Sequence, residues 1–413
     1  MRPTKILLLL ALSLCAATAV AFPLWLDSPS RINPHDPKSP LYVPVASGPA
    51  STATLTATMT FTYSPTQTQS FTVSPTLTCT TTQSATFSPT KTNSPTLTPS
   101  PTRTNSPTPT NTPVAGKDWV LTNGAPPFIG RFAHTSVTFT AQMWAIAGGD
   151  AGFAPLGDVW SSSDGVTWNQ ATAAAAFSAR YQHSSVSYHG DMWVIGGYDA
   201  VAPVLNDVWS SADGATWNLV TPAAAFTPRY GQTSIVYNDL MWVIGGFDGV
   251  CSCVSLNDAW SSSDGITWTQ APPTVPFPAR DSHGSVDFNG KMWVIGGNDA
   301  GAGNFPLNDV WSSTDGSTWT METAAAAFSP RLGFGCVVYN NRMWVIGGHD
   351  WLSFTVQNDV WSSADGITWT LETSAPAFAT RTFMSSMVFN SSMWTIGGFD
   401  QTFTPIADVW RSP

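Results

Sequence analysis

Glutamate is almost missing from this chain. Among 413 residues there are only Glu322 and Glu372, five lysines, and 10% charged residues in all. Good helix formers are scarce while β-formers and turn residues abound, which argues against a helical bundle. Two glutamates also leave few carboxylates of the usual catalytic kind, so a glycosidase-type acid/base pair would rest on aspartate. The formal charge of −10 disfavours nucleic acid as a partner, because phosphate contacts need clustered Lys and Arg. Beyond the N-terminus no run reaches the ~18 apolar residues of a membrane span. The five cysteines fall at 15, 79, 251, 253 and 336. That is neither a disulfide framework nor zinc-site spacing.

What the chain does have is 20 Trp, 22 Phe, 32 Gly and 32 Pro. Residues 1–21 read as a secretory signal: Arg2 and Lys5 precede the apolar run Ile6–Leu14, and Ala19-Val20-Ala21 is a small-residue cleavage pattern. An uncleaved membrane anchor is the alternative. Residues 22–50 are Pro-rich and irregular. Residues 51–116 form a Thr/Ser/Pro-rich low-complexity linker. Of its first 63 positions 24 are Thr and 9 are Ser, and Asp and Glu are absent. Such a composition buries too little apolar surface to fold and reads as a disordered, extended stalk or linker. The expected location is secreted or cell-surface.

From Lys117 onward the chain repeats itself. Arg131, Arg180, Arg229, Arg280, Arg331 and Arg381 open successive units 49 to 51 residues apart. Thirteen residues after each comes a Trp, then a Gly pair (148–149, 196–197, 245–246, 296–297, 347–348 and 397–398). An Asp-Val-Trp-like triplet follows, ending at Trp160, Trp209, Trp260, Trp311, Trp361 and Trp410. In five units a third Trp comes 8 residues later. The sixth unit lacks it, but Trp119 stands 12 residues before Arg131, the offset that Trp168, Trp217, Trp268, Trp319 and Trp369 keep from their next Arg. Only Trp25 and Trp351 fall outside the scheme.

Each unit reads as four short strands, in the second unit roughly His183–Tyr188, Met192–Gly196, Asp207–Ser211 and Thr216–Val220. His189-Gly190, Asn289-Gly290 and Asn340-Asn341 suit two-residue hairpins, and Asp213-Gly214 with its repeats suits another. Six such units predict an all-β, six-bladed β-propeller spanning 117–413, closed by an N-terminal strand at Trp119 that completes the blade ending at Trp410.

These residues resemble the kelch repeat: an Arg ahead of the first strand, a Gly pair ending the second, an Asp-Val-Trp-like third strand and a Trp on the fourth. The resemblance covers 117–413 and is similar in kind to the central domain of galactose oxidase, a secreted kelch propeller. It implies a propeller that binds partners with its long-loop face. The stretch at 162–168 also looks like the Asp-box hairpin of sialidase-type propellers, one residue short, and is read as a turn.

Only the path from the Gly pair to the second Trp varies in length, from 12 to 15 residues. A fixed scaffold with variable loops places binding on those loops. Their aromatics Phe153, Phe305, Trp351, Phe354 and Phe403 are ligand candidates. So are the six Arg, which either pair with aspartates such as Asp150, Asp199, Asp248, Asp299, Asp350 and Asp400 or grip an acidic ligand. From Asp118 onward 22 Asp and 2 Glu face 8 Arg and Lys291, which favours pairing. His134, His183 and His283, each three residues after its Arg, are candidates lining the channel. No catalytic residue, cofactor or metal is assigned. The expected function is a monomeric binding or adhesion module for a glycan or protein. The alternative is an extracellular carbohydrate-active enzyme, which the resemblance would make sialate-mutarotase-like or oxidase-like.

Overall fold

The computed structural model describes residues 113–413 apart from positions 203, 250–253, 273–274, 302 and 304. The signal, the segment 22–50, the linker up to residue 112, Trp25, Cys79, Cys251 and Cys253 lie outside the described residues.

Each unit folds as an antiparallel four-stranded sheet. The first holds β2 (Thr135–Phe139), β3 (Gln142–Gly149), β4 (Pro155–Ser162) and β5 (Asn169–Thr172), hydrogen-bonded in that order. The next four sheets repeat the pattern through β21 (Thr370–Thr373). The sixth is built from β22 (Ser385–Phe389), β23 (Ser392–Ile396), β24 (Val409–Ser412) and β1 (Val120–Asn123), with Leu121 opposite Trp410. The N-terminal strand therefore closes the last blade, as the displaced Trp implies. The structure is all-β, and among the described residues no helix is long and apolar enough to cross a membrane.

Local chemistry explains the hairpins. The turn between the first two strands has positive φ at both central residues, as at Asn289 (52°) and Gly290 (68°) or Asn340 (48°) and Asn341 (54°). That is the mirror-image turn whose twist matches antiparallel strands. The Asp-Gly segments depart from expectation: only the glycine has positive φ, 72° at Gly214. The Asp213 carboxylate instead accepts the N–H groups of Ala215 and Thr216, and Ser211 Oγ accepts that of Gly214. This side-chain-capped loop is wider than a two-residue turn, so the fourth strand runs Asn218–Thr221 and Trp217 sits just ahead of it. In the first unit Ala147 (φ 56°), not Gly148, occupies the place that Gly196 (φ 58°) takes in the second. The first Gly pair is thus shifted by one residue.

Packing between blades follows one rule. The buried Trp of each second strand lies on the capped-loop glycine of the next blade. A Cβ on Gly214 would overlap the ring of Trp144, and one on Gly265 that of Trp193. Gly116 meets Trp344 in the same way, and its N–H donates to Ser412 Oγ at 2.8 Å. Gly116, just ahead of the expected boundary at 117, is thus packed against the propeller. Every scaffold Trp also places its indole N–H, for example Trp144 on Phe139 O (3.1 Å), Trp160 on Asp158 Oδ2 (2.7 Å) and Trp168 on Gly165 O (3.1 Å).

A chain beginning at Ala125 lacks β1, Trp119 and Gly116. Burial of one Trp contributes roughly 5 kcal/mol gross. Thermal unfolding of that chain is expected on the order of 10 °C lower than for one beginning at Pro113. Equal melting temperatures would refute closure by β1.

Candidate functional site

All six repeat arginines are fully buried. Each forms two parallel bonds to an aspartate, 2.6–2.9 Å through Nη1 and 2.8–3.1 Å through Nη2. The partners are Asp158, Asp207, Asp258, Asp309, Asp359 and Asp408, each two residues before the second Trp. They are not the aspartates that follow the Gly pairs. Those cap the variable loops instead: Asp150 accepts from the backbone of Gly152 and Ala154, and Asp400 from that of Thr402 and Thr404. Each guanidinium also lies 5.0–5.5 Å from the ring of a Phe three residues earlier. Burial raises the pKa of Asp158 and Asp258, but the hydrogen bonds and charge of Arg131 and Arg229 outweigh it and hold both below the usual carboxylate value. The arginines are scaffold, with no surface for an acidic ligand.

The three residues after each Arg divide the central axis into levels. The middle one forms a closed circle of backbone bonds. Gln182 donates to Ala133, Gly231 to Gln182, Ser282 to Gly231, Gly333 to Ser282, Phe383 to Gly333 and Ala133 to Phe383, at 2.6–2.9 Å. All six have positive φ, from 48° at Ala133 to 65° at Gly231. The left-handed conformation costs the four non-glycine members about 1 kcal/mol or more each, offset by the bonds and by the packing that fixes them. This circle has no signature in side-chain chemistry, and sequence reasoning missed it.

On one side of the circle the residues directly after five of the six Arg line a cup of about 80 Å³, joined by Phe247, Asn298 and Phe399 from among their bridge partners. The pairs are Phe132 with Gly149, Tyr181 with Tyr198, Tyr230 with Phe247, Asp281 with Asn298, Leu332 with His349 and Thr382 with Phe399. Ring contacts link Phe399 to Phe132 (4.0 Å), Phe132 to Tyr181 (5.3 Å), Tyr181 to Tyr198 (5.0 Å), Tyr198 to Tyr230 (5.8 Å) and Tyr230 to Phe247 (5.3 Å). The belt breaks at the fourth blade, where Asp281 and Asn298 stand. The pattern is visible in the sequence as Phe, Tyr, Tyr, Asp, Leu and Thr one residue after the Arg.

Of the loop aromatics, Trp351 and Phe153 line this cup. Phe403 stacks beside Trp351 (centroids 6.3 Å, 11° between planes), and His349 packs edge-on to Trp351 at 4.3 Å. Phe305 and Phe354 are exposed and take no part in it. Both glutamates sit on outer strands. Glu322 accepts from Ser312 Oγ and Lys291 Nζ, and Glu372 from Ser362 Oγ.

On the other side of the circle lies a chamber of about 110 Å³ walled by His134, His183, Gln232, His283, Phe334 and Met384, the third residues after the Arg. His134 Nε2 bonds Ser385 Oγ, His183 Nε2 bonds Thr135 Oγ1 and His283 Nε2 bonds Thr233 Oγ1, while each Nδ1 has no partner in the protein. Among the described residues no three His, Cys, Asp or Glu side chains are grouped to hold a metal. Burial, with the charge of Arg180 or Arg280, pushes the pKa of His183 and His283 down to about 3.

A model of the DUF6242 beta propeller domain matches residues 176–312, and a model of the Kelch motif matches residues 330–362. The solved structure of YjhT is similar, with a TM-score of 0.58 at 15% identity over 70% of this chain and 96% of that one. At that identity the likeness concerns the fold. No curated protein matches the chain.

Replacing Asp258 with Ala leaves Arg229 buried without its counter-charge and is expected to cost about 3–5 kcal/mol in denaturant unfolding. Arg229→Met with Asp258→Leu should recover much of that. A loss below about 1 kcal/mol in the single variant would contradict the scaffold role. For the histidines the sign is fixed by the depressed folded-state values. Stability is full above the ordinary value of 6.5 and falls as pH drops toward about 3. Each buried His should contribute up to about 1.4 kcal/mol per pH unit in that window. His183→Gln should flatten the pH–stability curve between roughly pH 6 and 4; an unchanged slope would show that the imidazole titrates freely.

Proposed function

We propose that this kelch-type six-bladed β-propeller is a secreted or surface-held binding module that takes a glycan or protein ligand on its long-loop face. The observation that carries the reading is the cup. It is a concave site at the centre of that face, mostly aromatic, with its polar groups gathered at one blade, and such composition is typical of ligand sites. Rings of this kind supply contact area at low conformational cost. The rest of the molecule supports the same reading. The arginines are consumed internally, both glutamates sit on the outer strands, and the variable segments surround the cup. The basic, apolar and small-residue order of residues 1–21 and the Thr/Pro-rich 51–116 motivate the extracellular placement.

Glycan and protein arrays probed with the full-length mature chain test the reading. Trp351→Ala and Phe403→Ala are expected to weaken capture about tenfold or more with little change in melting temperature. Ile266→Ser, on an exposed turn of the opposite face, should leave capture intact. Capture that survives both loop variants would place the binding surface elsewhere and overturn the reading.

A further inference from the structure

The break in the aromatic belt has its own chemistry. Asp281 Oδ2 accepts from Ser255 Oγ at 2.8 Å and from Asn298 Nδ2 at 3.3 Å, and its Oδ1 accepts from Ser282 Oγ at 3.0 Å. The neighbouring hydroxyls and one amide N–H are thus spent on orienting the carboxylate. Among the described residues no Lys, Arg or His forms an ion pair with it. The nine undescribed positions within 113–413 hold no cation either. A carboxylate recessed in an apolar wall without a counter-charge is costly unless it is neutralised or paired. Burial raises its pKa, against the hydrogen bonds from Ser255, Ser282 and Asn298, and the negative charge of Asp299 adds to the rise. A positive group entering the cup would reverse that penalty.

The rest of the wall suits such a group. Phe132, Tyr181, Tyr230, Phe247, Trp351 and Phe399 surround the same space. Aromatic rings attract cations through their negative faces, most strongly where water is excluded. The cup's volume of about 80 Å³ is below the roughly 150 Å³ of a cavity that accommodates a benzene ring. The cup is therefore sized for a small headgroup, and its open side leaves room for whatever carries that group. No Lys or Arg lines it, and the strongly acidic domain around it favours approach of positive charge.

We propose that the cup binds an ammonium group, primary or N-methylated, with its charge against Asp281 and its carbon substituents against the aromatic rings. This rests on the long-loop face being the binding face and specifies what the centre of that face selects. The group is either the side-chain terminus of a lysine or a free small amine. The chemistry is the same in both.

The experiment is a titration of the mature chain, followed by tryptophan fluorescence and calorimetry, with choline and with 3,3-dimethylbutan-1-ol, its uncharged isostere. Choline is expected to bind at least about tenfold more tightly. Asp281→Asn keeps the shape and should remove most of that preference while leaving the alcohol unchanged; Trp351→Ala should weaken both. Equal affinity for choline and the alcohol in the unaltered protein overturns the proposal without recourse to any variant, as does a preference that persists in Asp281→Asn. Peptides carrying lysine or trimethyl-lysine, run alongside, distinguish the sources. Tighter binding of a peptide than of choline assigns a protein-borne ammonium, the reverse a free amine, and both support the site. Array capture that is lost in Trp351→Ala but is untouched by excess choline and by Asp281→Asn overturns this inference and leaves the loop-face reading standing. Choline selectivity without capture of any glycan or protein does the opposite.

Discussion

The buried Arg–Asp pair is the interaction on which the blades depend. One guanidinium joins three parts of a unit that are distant in sequence. It bonds the aspartate on or just before the third strand, and its Nη1 also reaches a carbonyl at or just past the end of the second strand, 2.9 Å at Gly196 and 2.8 Å at Gly245. The aspartate in turn accepts the indole N–H of the second Trp, 2.7 Å at Trp209. The Arg carbonyl accepts the N–H of the second glycine position in the preceding blade, at 2.9 Å from Gly148 through Gly348 and again where Gly398 meets Arg131. The pair thus fixes geometry within a blade while its backbone fixes geometry between blades. Sequence separation between Arg and Asp ranges from 27 to 29 residues, and all of that variation lies in the loop that the pair spans. The loops vary in length because the pair holds both of their ends.

The second constraint is the circle of backbone bonds around the axis. Its members alternate with their neighbours in direction, so successive residues after the Arg face the cup, join the circle and face the chamber. Three adjacent sequence positions therefore have separate environments. Tyr181 is in the aromatic belt, Gln182 is in the circle and His183 is buried beside the chamber, where its charged form is disfavoured. A substitution at one level alters one environment, since the backbone bonds that separate the levels do not depend on the side chains.

Periodicity explains what was legible. The Arg, the Trp triplets and the displaced Trp119 recur at fixed spacings because each fills the same steric position, so blade number and closure could be read directly. Two kinds of feature were not. Where two aspartates recur near the same Gly pair, spacing alone does not say which meets the Arg; Asp150 and its equivalents are nearer to that pair in sequence, yet they are needed to cap the loops. Alignment by residue type also misplaced the first glycine pair, because Ala147 adopts the positive φ that glycine supplies elsewhere. The circle of backbone bonds was illegible for a different reason. It uses N–H and C=O groups that every residue has, and its members Ala133, Gln182, Gly231, Ser282, Gly333 and Phe383 share no side-chain property.

A sixfold scaffold offers six equivalent walls, so any selective site on its axis must break the symmetry. Here the break is confined to few positions. Blades one to three place aromatic residues directly after the Arg, blade six supplies Phe399 from the bridge partner, and blade five packs Leu332 against His349 beneath Trp351. Blade four alone places a carboxylate and an amide at both positions. Asp281 has no counterpart around the ring, and the Arg–Asp pair of its own blade, Arg280 with Asp309, has the geometry of the other five. The symmetry-breaking residue is therefore not needed to hold its blade together. A carboxylate freed from the scaffold and recessed in a largely aromatic wall, where burial disfavours its charge, is one whose side chain is set by what enters the cup.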